Sequence, residues 1–202
     1  MAKNLCKDIN EKYDLKLNEK KMAWGAMSPD FLPKYKIYRH YMADSQEFLI
    51  NEIIGLIYIA RYFNFEKLDG FKRKMISNRV GVISHFLSDY VCLPHKENWT
   101  FNDSFKKHVV YEKELNEVVK THEFKKDVIT VENISLYEFK TVHLKELVKD
   151  YLNRVIEEYS KKQSYERDLD FALNLSTNIS YFIFDTVEEL NLQKAREYSF
   201  VF

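Results

Sequence analysis

Apolar residues recur along this chain mainly at helical spacing, and the most continuous apolar run lies between residues 48 and 63. The run is apolar almost all round, is interrupted by Asn51 and Glu52, and is too short for a typical membrane span, so we expect a central buried helix. Residues 136–159 and 165–192 are long amphipathic stretches with one apolar face. With only 4 Gly and 3 Pro in the chain, long helices can form without interruption.

Capping signals and prolines predict where the central helix begins and where the next helix along the chain ends. Asp44 is followed three residues later by Glu47, which predicts a capping box at the start of the central helix. A second helix should run from about residue 71 to residue 90. It should stop before Pro94, because the residue that precedes a proline is disfavoured in a helix.

A third helix is expected to begin at Asn102 or Asp103, either of which can cap it, and to carry Phe105, Val109 and Leu115. The segment 122–133 contains a short β-branched run and is interpreted as a loop or a short extended piece. No internal repeat, low-complexity tract or linker divides the chain. The sequence therefore predicts an all-α fold, a single-domain multi-helix bundle over residues 1–202.

Composition narrows the classes of function. Lys plus Arg equals Asp plus Glu at 31 each, so no overall field attracts long nucleic acids or an anionic membrane. The two cysteines, Cys6 and Cys92, are too few for a disulfide framework and are interpreted as buried thiols. Residues 1–8 include the charged Lys3, Lys7 and Asp8, where a signal peptide would need an apolar run, so we expect either a cytoplasmic protein or a mature form with an added Met.

Half of the chain's 6 histidines fall between residues 85 and 108, and two of these have an acid at helical spacing. His85 and Asp89 are four residues apart, as are His108 and Glu112, so each pair projects from one helix face. His95 lies between the pairs, after Pro94. Either pair alone is explained by a partly buried histidine beside a solvated acid. All five together favour a metal site, and this mixture of nitrogen and oxygen donors suits zinc.

These residues belong to a longer pattern. The chain reads GVISHFLSDYVCLPH at residues 81–95 and HVVYE at residues 108–112, and upstream it reads WGAMSPDF at residues 24–31, followed by His40. This pattern resembles the zinc-dependent phospholipase C family, in which a Gly-Ala-x-x-Pro-Asp segment and a histidine precede the spaced histidines and acids. The resemblance covers residues 24–112 and implies an all-helical zinc enzyme that hydrolyses phosphate ester bonds.

The resemblance also implies a role for each residue. One zinc ion would be held by Asp30, His40, His85 and Asp89, and a second by His95, His108 and Glu112. Asp30 would act as general base as well as ligand, because the family places this aspartate beside the water that attacks the phosphodiester. Without the resemblance, Pro29-Asp30 would be interpreted as an ordinary turn.

The chain departs from the family in three respects. The family's separate C-terminal membrane-binding domain is missing, which argues against intact bilayers as the substrate. No histidine precedes His40, so the family's third metal is present only if Asp89 and water complete its site, and we expect two ions, or three in that case. Phe31 could line a substrate pocket or a cationic head-group cage, but Ile37 stands where choline-binding members have an aromatic residue, which argues against choline specificity.

Other residues that could carry chemistry are assigned structural roles. Trp24 is expected to be a core aromatic residue, and it lies too close to Asp30 to be the tryptophan that chelates metal in secreted members. His122 and His143 lack partners at convincing spacing and are interpreted as surface or packing residues.

Two alternative functions stay open at this point. The related single-strand-specific nucleases use a similar zinc cluster, and a zinc-dependent nuclease or nucleotidase would need the same ligands. A non-catalytic protein in which zinc only clips helices together would fill every coordination position with protein. The expected partner is a small phosphate-ester or phospholipid substrate, with no long nucleic acid and no transmembrane segment.

Overall fold

A computed structural model of the protein describes residues 1–99, 104–134 and 143–199. Within these ranges all regular elements are helical, which confirms the all-α prediction. The helices are α1 (Ala2–Tyr13), α2 (Glu19–Phe31), α3 (Met42–Ala60), α4 (Gly70–Tyr90), α5 (Leu93–Lys96), α6 (Phe105–Val118), α7 (Leu144–Tyr159) and α8 (Tyr165–Ser199), and a 3₁₀ turn at Phe65–Lys67 precedes α4. That residues 1–202 form one domain stays a prediction.

The central apolar run forms α3, as predicted, but the helix begins at Met42 and not at Asp44. The predicted capping box is therefore wrong: Tyr41 is the N-cap residue, and no side chain caps the helix. Asp44 instead lies inside the first turn, where its negative charge interacts favourably with the helix dipole. None of the described helices combines the length and the apolar character needed to cross a lipid bilayer.

The other predicted helices agree with the structure within a few residues where it describes them. α4 ends at Tyr90, and Pro94 then lies in the first turn of α5, where a missing N–H leaves no hydrogen bond unmade. α6 begins at Phe105 with Ser104 as N-cap residue, while the predicted caps Asn102 and Asp103 lie outside the described residues. The predicted helix 136–159 is observed from Leu144, and its first part also lies outside them.

Helices α2 and α4 approach so closely that glycine is required on both sides. A Cβ atom on Gly25 would lie 2.1 Å from the backbone oxygen of Asn78. On Gly81 it would lie 2.2 Å from the backbone oxygen of Met22. Both distances are far inside van der Waals contact, and both obstacles are backbone atoms. The contact therefore sets the position of α2 against α4.

The core is one continuous apolar cluster to which α1, α2, α3, α4, α7 and α8 all contribute. Its largest fully buried side chains are aromatic and include Phe86 and Tyr90 of α4, Tyr151 of α7, and Phe171 and Phe184 of α8. The Tyr90 hydroxyl lies 2.8 Å from Ser45 Oγ, so the polar end of this ring is satisfied inside the core.

The segment between α6 and residue 134 is irregular, as the loop interpretation predicted, and buried acids hold it in place. Glu158 of α7 accepts hydrogen bonds from the backbone N–H and hydroxyl of Thr130 and from the N–H of Val131, at 2.8–3.1 Å. Asp170 of α8 accepts one from the Lys125 N–H at 2.9 Å. Burial alone would raise the pKa of Glu158, but these hydrogen bonds more than offset it and hold the pKa below its usual range.

Glu158→Gln is expected to lower the free energy of unfolding at neutral pH by about 1–3 kcal/mol, the size of hydrogen bonds to a charged group. Since the pKa is depressed in the folded state, the carboxylate stabilises the fold above pH ~4, near the unfolded pKa, and this contribution is lost as the pH falls through the folded value. Urea unfolding at several pH values checks this. The exposed neighbour Glu157→Gln is the control, and a gap between the two variants that persists at pH ~2 would contradict it.

Candidate metal centre

The seven predicted ligand side chains converge at one end of the bundle. They come from five parts of the chain: the end of α2 (Asp30), the loop before α3 (His40), the second half of α4 (His85, Asp89), α5 (His95) and α6 (His108, Glu112). Asp30 does not lie in a turn, as its Pro-Asp pair suggested, but in the last turn of α2, with Pro29 inside the helix.

Asp30, His40 and His85 form a first group whose ligand atoms all lie within 4.8 Å of one another. His85 Nε2 is 3.2 Å from His40 Nδ1, and Asp30 Oδ1 is 3.7 Å from each of these nitrogens. The other ring nitrogen of His85, Nδ1, lies 2.8 Å from the carbonyl oxygen of Ala26 and can only donate to it. This bond assigns the proton to Nδ1 and leaves the Nε2 lone pair directed at the group.

His95, His108 and Glu112 form a second group with the same compactness. His108 Nε2 is 2.9 Å from Glu112 Oε1, and His95 Nε2 is 3.8 Å from the same oxygen. Burial alone would lower the pKa of His95, but Glu112 and Asp89 more than offset this and raise it above its usual value. The carboxylate of Glu112 is half exposed, so the group is open on one side.

Asp89 lies between the two groups. Its Oδ2 atom is 3.0 Å from His40 Nδ1 and 3.2 Å from His85 Nε2, while Oδ1 is 3.8 Å from His95 Nε2. Burial alone would raise the pKa of Asp89, but the three histidines outweigh it and hold the pKa below its usual range. The carboxylate is therefore charged, and its two oxygens face different groups.

Two buried atoms of this cluster have unmet bonding capacity. Asp89 Oδ2 and His95 Nδ1 are shielded from solvent, and neither has a well-aligned hydrogen bond to a described residue, although two imidazole nitrogens lie 3.0 and 3.2 Å from Oδ2. Buried polar atoms without partners are costly and rare. A cation between the imidazoles and carboxylates would satisfy Oδ2, and the nitrogen and oxygen donors match the preference of zinc. The residues present thus fit the metal that the sequence pattern implies.

A buried carboxylate that sequence reasoning missed supports the second group from behind. Asp168 of α8 accepts hydrogen bonds from the hydroxyls of Tyr111 and Tyr159 at 2.7 and 2.5 Å, and from the backbone N–H of Leu93 at 3.2 Å. It therefore joins α5 and α6, which carry His95 and the His108–Glu112 pair, to α7 and α8. The only signal in the sequence was an acid on an otherwise apolar helix face.

An open cavity of about 270 Å³ adjoins the centre. Asp89, His95 and Glu112 line it on one side, and its other walls include Leu115, Asn116, Leu169 and Ala172. The cavity gives water or a small group a route from solvent to the side chains of Asp89, His95 and Glu112.

The histidines and cysteines that the sequence analysis assigned to structural roles lie outside the two groups. His122 is buried and lies 2.7 Å from Asp170, and His143 precedes α7, so neither belongs to the centre, as predicted. Cys6 is buried and Cys92 partly so, and burial raises the pKa of the Cys92 thiol.

The prediction that Trp24 is a core residue is wrong, because its side chain is 45% exposed. The face of α2 opposite Trp24 packs on α4 through Gly25, which leaves the indole on the outside.

The sequence model of the family described as zinc dependent phospholipase C matches residues 1–166. The match extends on both sides of residues 24–112, where the resemblance was first noted, and includes every residue of the two groups. No curated protein and no solved structure gives a significant match to the chain. The family implies a zinc-dependent hydrolase of the phospholipase C type, with which the helical fold and the two donor groups are consistent. The chain thus belongs to the zinc-dependent phospholipase C family.

Proposed function

We propose that this protein is a zinc-dependent phosphodiesterase that hydrolyses phospholipids or related phosphate esters with water as the nucleophile. The observation that carries the proposal is the meeting of two donor groups at Asp89, whose oxygens lie 3.0 Å from His40 and 3.8 Å from His95. Two cations held by donor groups that meet at one carboxylate could act on a single phosphodiester.

The proposed ligand sets follow the two groups. One zinc ion would be held by Asp30, His40, His85 and Asp89, and a second by His95, His108 and Glu112. When bound, zinc supplies a Lewis acid that brings the pKa of water toward about 7 and offsets the negative charge of the phosphate. The chain's own residues provide orientation: the Ala26 carbonyl holds the His85 ring, and Asp168 orders the segments that carry the second group.

Asp30 is the proposed general base. Its carboxylate is 52% exposed, so water can approach it from solvent, while Oδ1 stays 3.7 Å from His40 and His85. A carboxylate in this position can take the proton from a water molecule that is oriented toward the phosphorus atom. No covalent nucleophile is required, and Cys92 is unsuited to that role because burial keeps its thiol protonated.

The openness of the centre favours an enzyme over a protein in which zinc only clips helices together. Structural zinc sites are closed by four protein ligands, whereas catalytic sites keep a position free for water or substrate. Here Asp30 and Glu112 are each about half exposed, and a cavity reaches Asp89 and His95. The second group also offers three protein donors, the number that is typical of catalytic zinc.

The test starts from elemental analysis of protein purified without added metal and without a histidine tag. We expect two or more zinc per chain, and hydrolysis of both bis(p-nitrophenyl) phosphate and a short-chain phospholipid that is lost with a chelator and restored by zinc. His143→Ala, outside the centre, is the matched control and should keep zinc and activity. Protein that takes up no zinc after reconstitution would overturn the proposal, and zinc without hydrolysis of either ester would indicate a structural metal. Hydrolysis of single-stranded DNA but not of phospholipid would instead indicate a nuclease.

A further inference from the structure

The outward face of α2 carries a row of large apolar side chains that nothing in the described fold covers. Trp24, Met27 and Phe31 are 45%, 49% and 65% exposed, and their spacing of three and four residues places them on one helix face. Lys20, four residues before Trp24, extends the row with a charge. Most exposed apolar residues on a soluble protein are scattered, so a continuous row marks an interaction surface.

The loop that follows α2 adds to the same surface. Ile37 is 75% exposed, and it stands between charged residues that are all exposed and all basic: Lys34, Lys36 and Arg39. Among the described residues, Lys20, Lys36 and Arg39 form no ion pair. The chain as a whole is neutral, whereas residues 19–39 carry Lys20, Lys21, Lys34, Lys36 and Arg39 against Glu19 and Asp30. We call this apolar row with its surrounding cations the α2 surface.

The α2 surface adjoins the metal centre. Phe31, the last residue of the row, directly follows Asp30, whose carboxylate is 3.7 Å from His40 and His85. The other face of α2 is held on α4 by the contact at Gly25 and by the hydrogen bond between Ala26 and His85. The exposed row and the ligand Asp30 are therefore parts of one rigid helix.

We propose that the α2 surface docks on an anionic lipid surface and so presents Asp30 to phosphodiesters in the head-group layer. The proposal rests on the function proposed above. A helix lying in the plane of the lipid interface has apolar residues with tryptophan on one face and lysines that reach the anionic head groups, which is the composition found here. A second copy of the chain fits less well, because a symmetric contact would set these unpaired lysines against each other.

The first test is sedimentation with phosphatidylcholine vesicles that contain either no phosphatidylglycerol or equal parts of it. We expect binding to the anionic vesicles that weakens as salt is added. Trp24→Ser combined with Met27→Ser should lower the partition coefficient about tenfold or more, while keeping the wild-type melting temperature and zinc content. Leu192→Ser removes a side chain that is 53% exposed on α8 and should bind as the wild type does.

A charge-reversal pair tests the cations separately. Replacing Lys20 and Lys36 by Glu should abolish binding to the anionic vesicles, whereas Lys161→Glu with Lys162→Glu, exposed residues after α7 that give the same change in net charge, should leave it within about twofold of wild type. Equal loss of vesicle binding in the two charge-reversal variants would overturn the proposal, because it would show that only the net charge of the protein matters.

Other outcomes separate this proposal from the one on which it rests. Wild-type protein that hydrolyses bis(p-nitrophenyl) phosphate but does not bind vesicles would overturn only the docking surface. Vesicle binding that is equal in wild type and in the Trp24→Ser, Met27→Ser variant would overturn it too. A dimer in wild type that this variant loses, with no vesicle binding, would assign the surface to self-association. Failure of zinc uptake and of hydrolysis overturns the enzymatic proposal, whatever the vesicles show.

Discussion

Gly81→Ala is expected to lower the free energy of unfolding by roughly 2–4 kcal/mol, as overpacking at a tight helix contact does. The new Cβ would lie 2.2 Å from Met22 O and 2.8 Å from Ala26 N, and no rotamer change can relieve a clash between backbones. α2 must move away from α4. Because α2 carries Asp30 and α4 carries His85, zinc affinity should fall together with stability.

Urea unfolding and zinc titration of the Gly81→Ala protein check this expectation, and the chain provides a matched control. Gly55 is also in the interior of a helix, but a Cβ there would meet only a side-chain nitrogen of Arg79 at 3.3 Å, which can shift. Gly55→Ala should be neutral or stabilise the fold by up to about 1 kcal/mol through helix propensity. Equal stability of the two variants would show that the α2–α4 contact is looser than described.

Asp89→Asn is expected to have the largest effect on the metal centre. The change keeps the shape of the side chain but removes the charge that faces His40, His85 and His95. An amide is a weak zinc ligand, and its NH₂ group would point at imidazole nitrogens that must bind the metal. Asp89 is a proposed ligand of the first ion and its Oδ1 also faces His95 of the second group, so we expect the first zinc to be lost and the second to bind more weakly, with hydrolysis reduced at least about 100-fold.

Zinc per chain and the rate on a soluble phosphodiester are the measurements for Asp89→Asn. Asp44→Asn, an exposed acid in the first turn of α3, controls for the loss of one negative charge. A variant with wild-type zinc and wild-type rate would contradict the ligand assignment of Asp89. Loss of the first zinc with unchanged affinity for the second would show that Asp89 serves a single group.

Features that depend on spacing along one helix were predictable. The four-residue separations of His85 from Asp89 and of His108 from Glu112 place each pair on one face whatever the rest of the fold does. The class of fold was predictable for a similar reason, since the scarcity of glycine and proline acts on every segment. The structure adds that these pairs converge with Asp30. The resemblance to a family implied this convergence, but the local sequence pattern alone did not.

Features that depend on packing between distant segments were not predictable. Pro29 favours a turn locally, yet the packing of α2 on α4 keeps it and Asp30 inside the helix. Trp24 has the large apolar side chain of a typical core residue. It is exposed because α2 packs on α4 through the face that carries Gly25. Asp168 lies far along the chain from His95, so no spacing rule connects it to the segment that it orders.

The position of Asp168 has a consequence for how the protein is made. All seven proposed ligands lie before residue 113, so every one of them has been synthesised before α7 and α8 leave the ribosome. The backbone N–H of Leu93 and the hydroxyl of Tyr111 have no Asp168 to bind until that last helix has formed. At that stage the nascent chain holds all seven proposed donors, but it lacks the carboxylate that orders the segments carrying three of them. If the second group binds an ion as proposed, its stable capture should therefore follow the formation of α8.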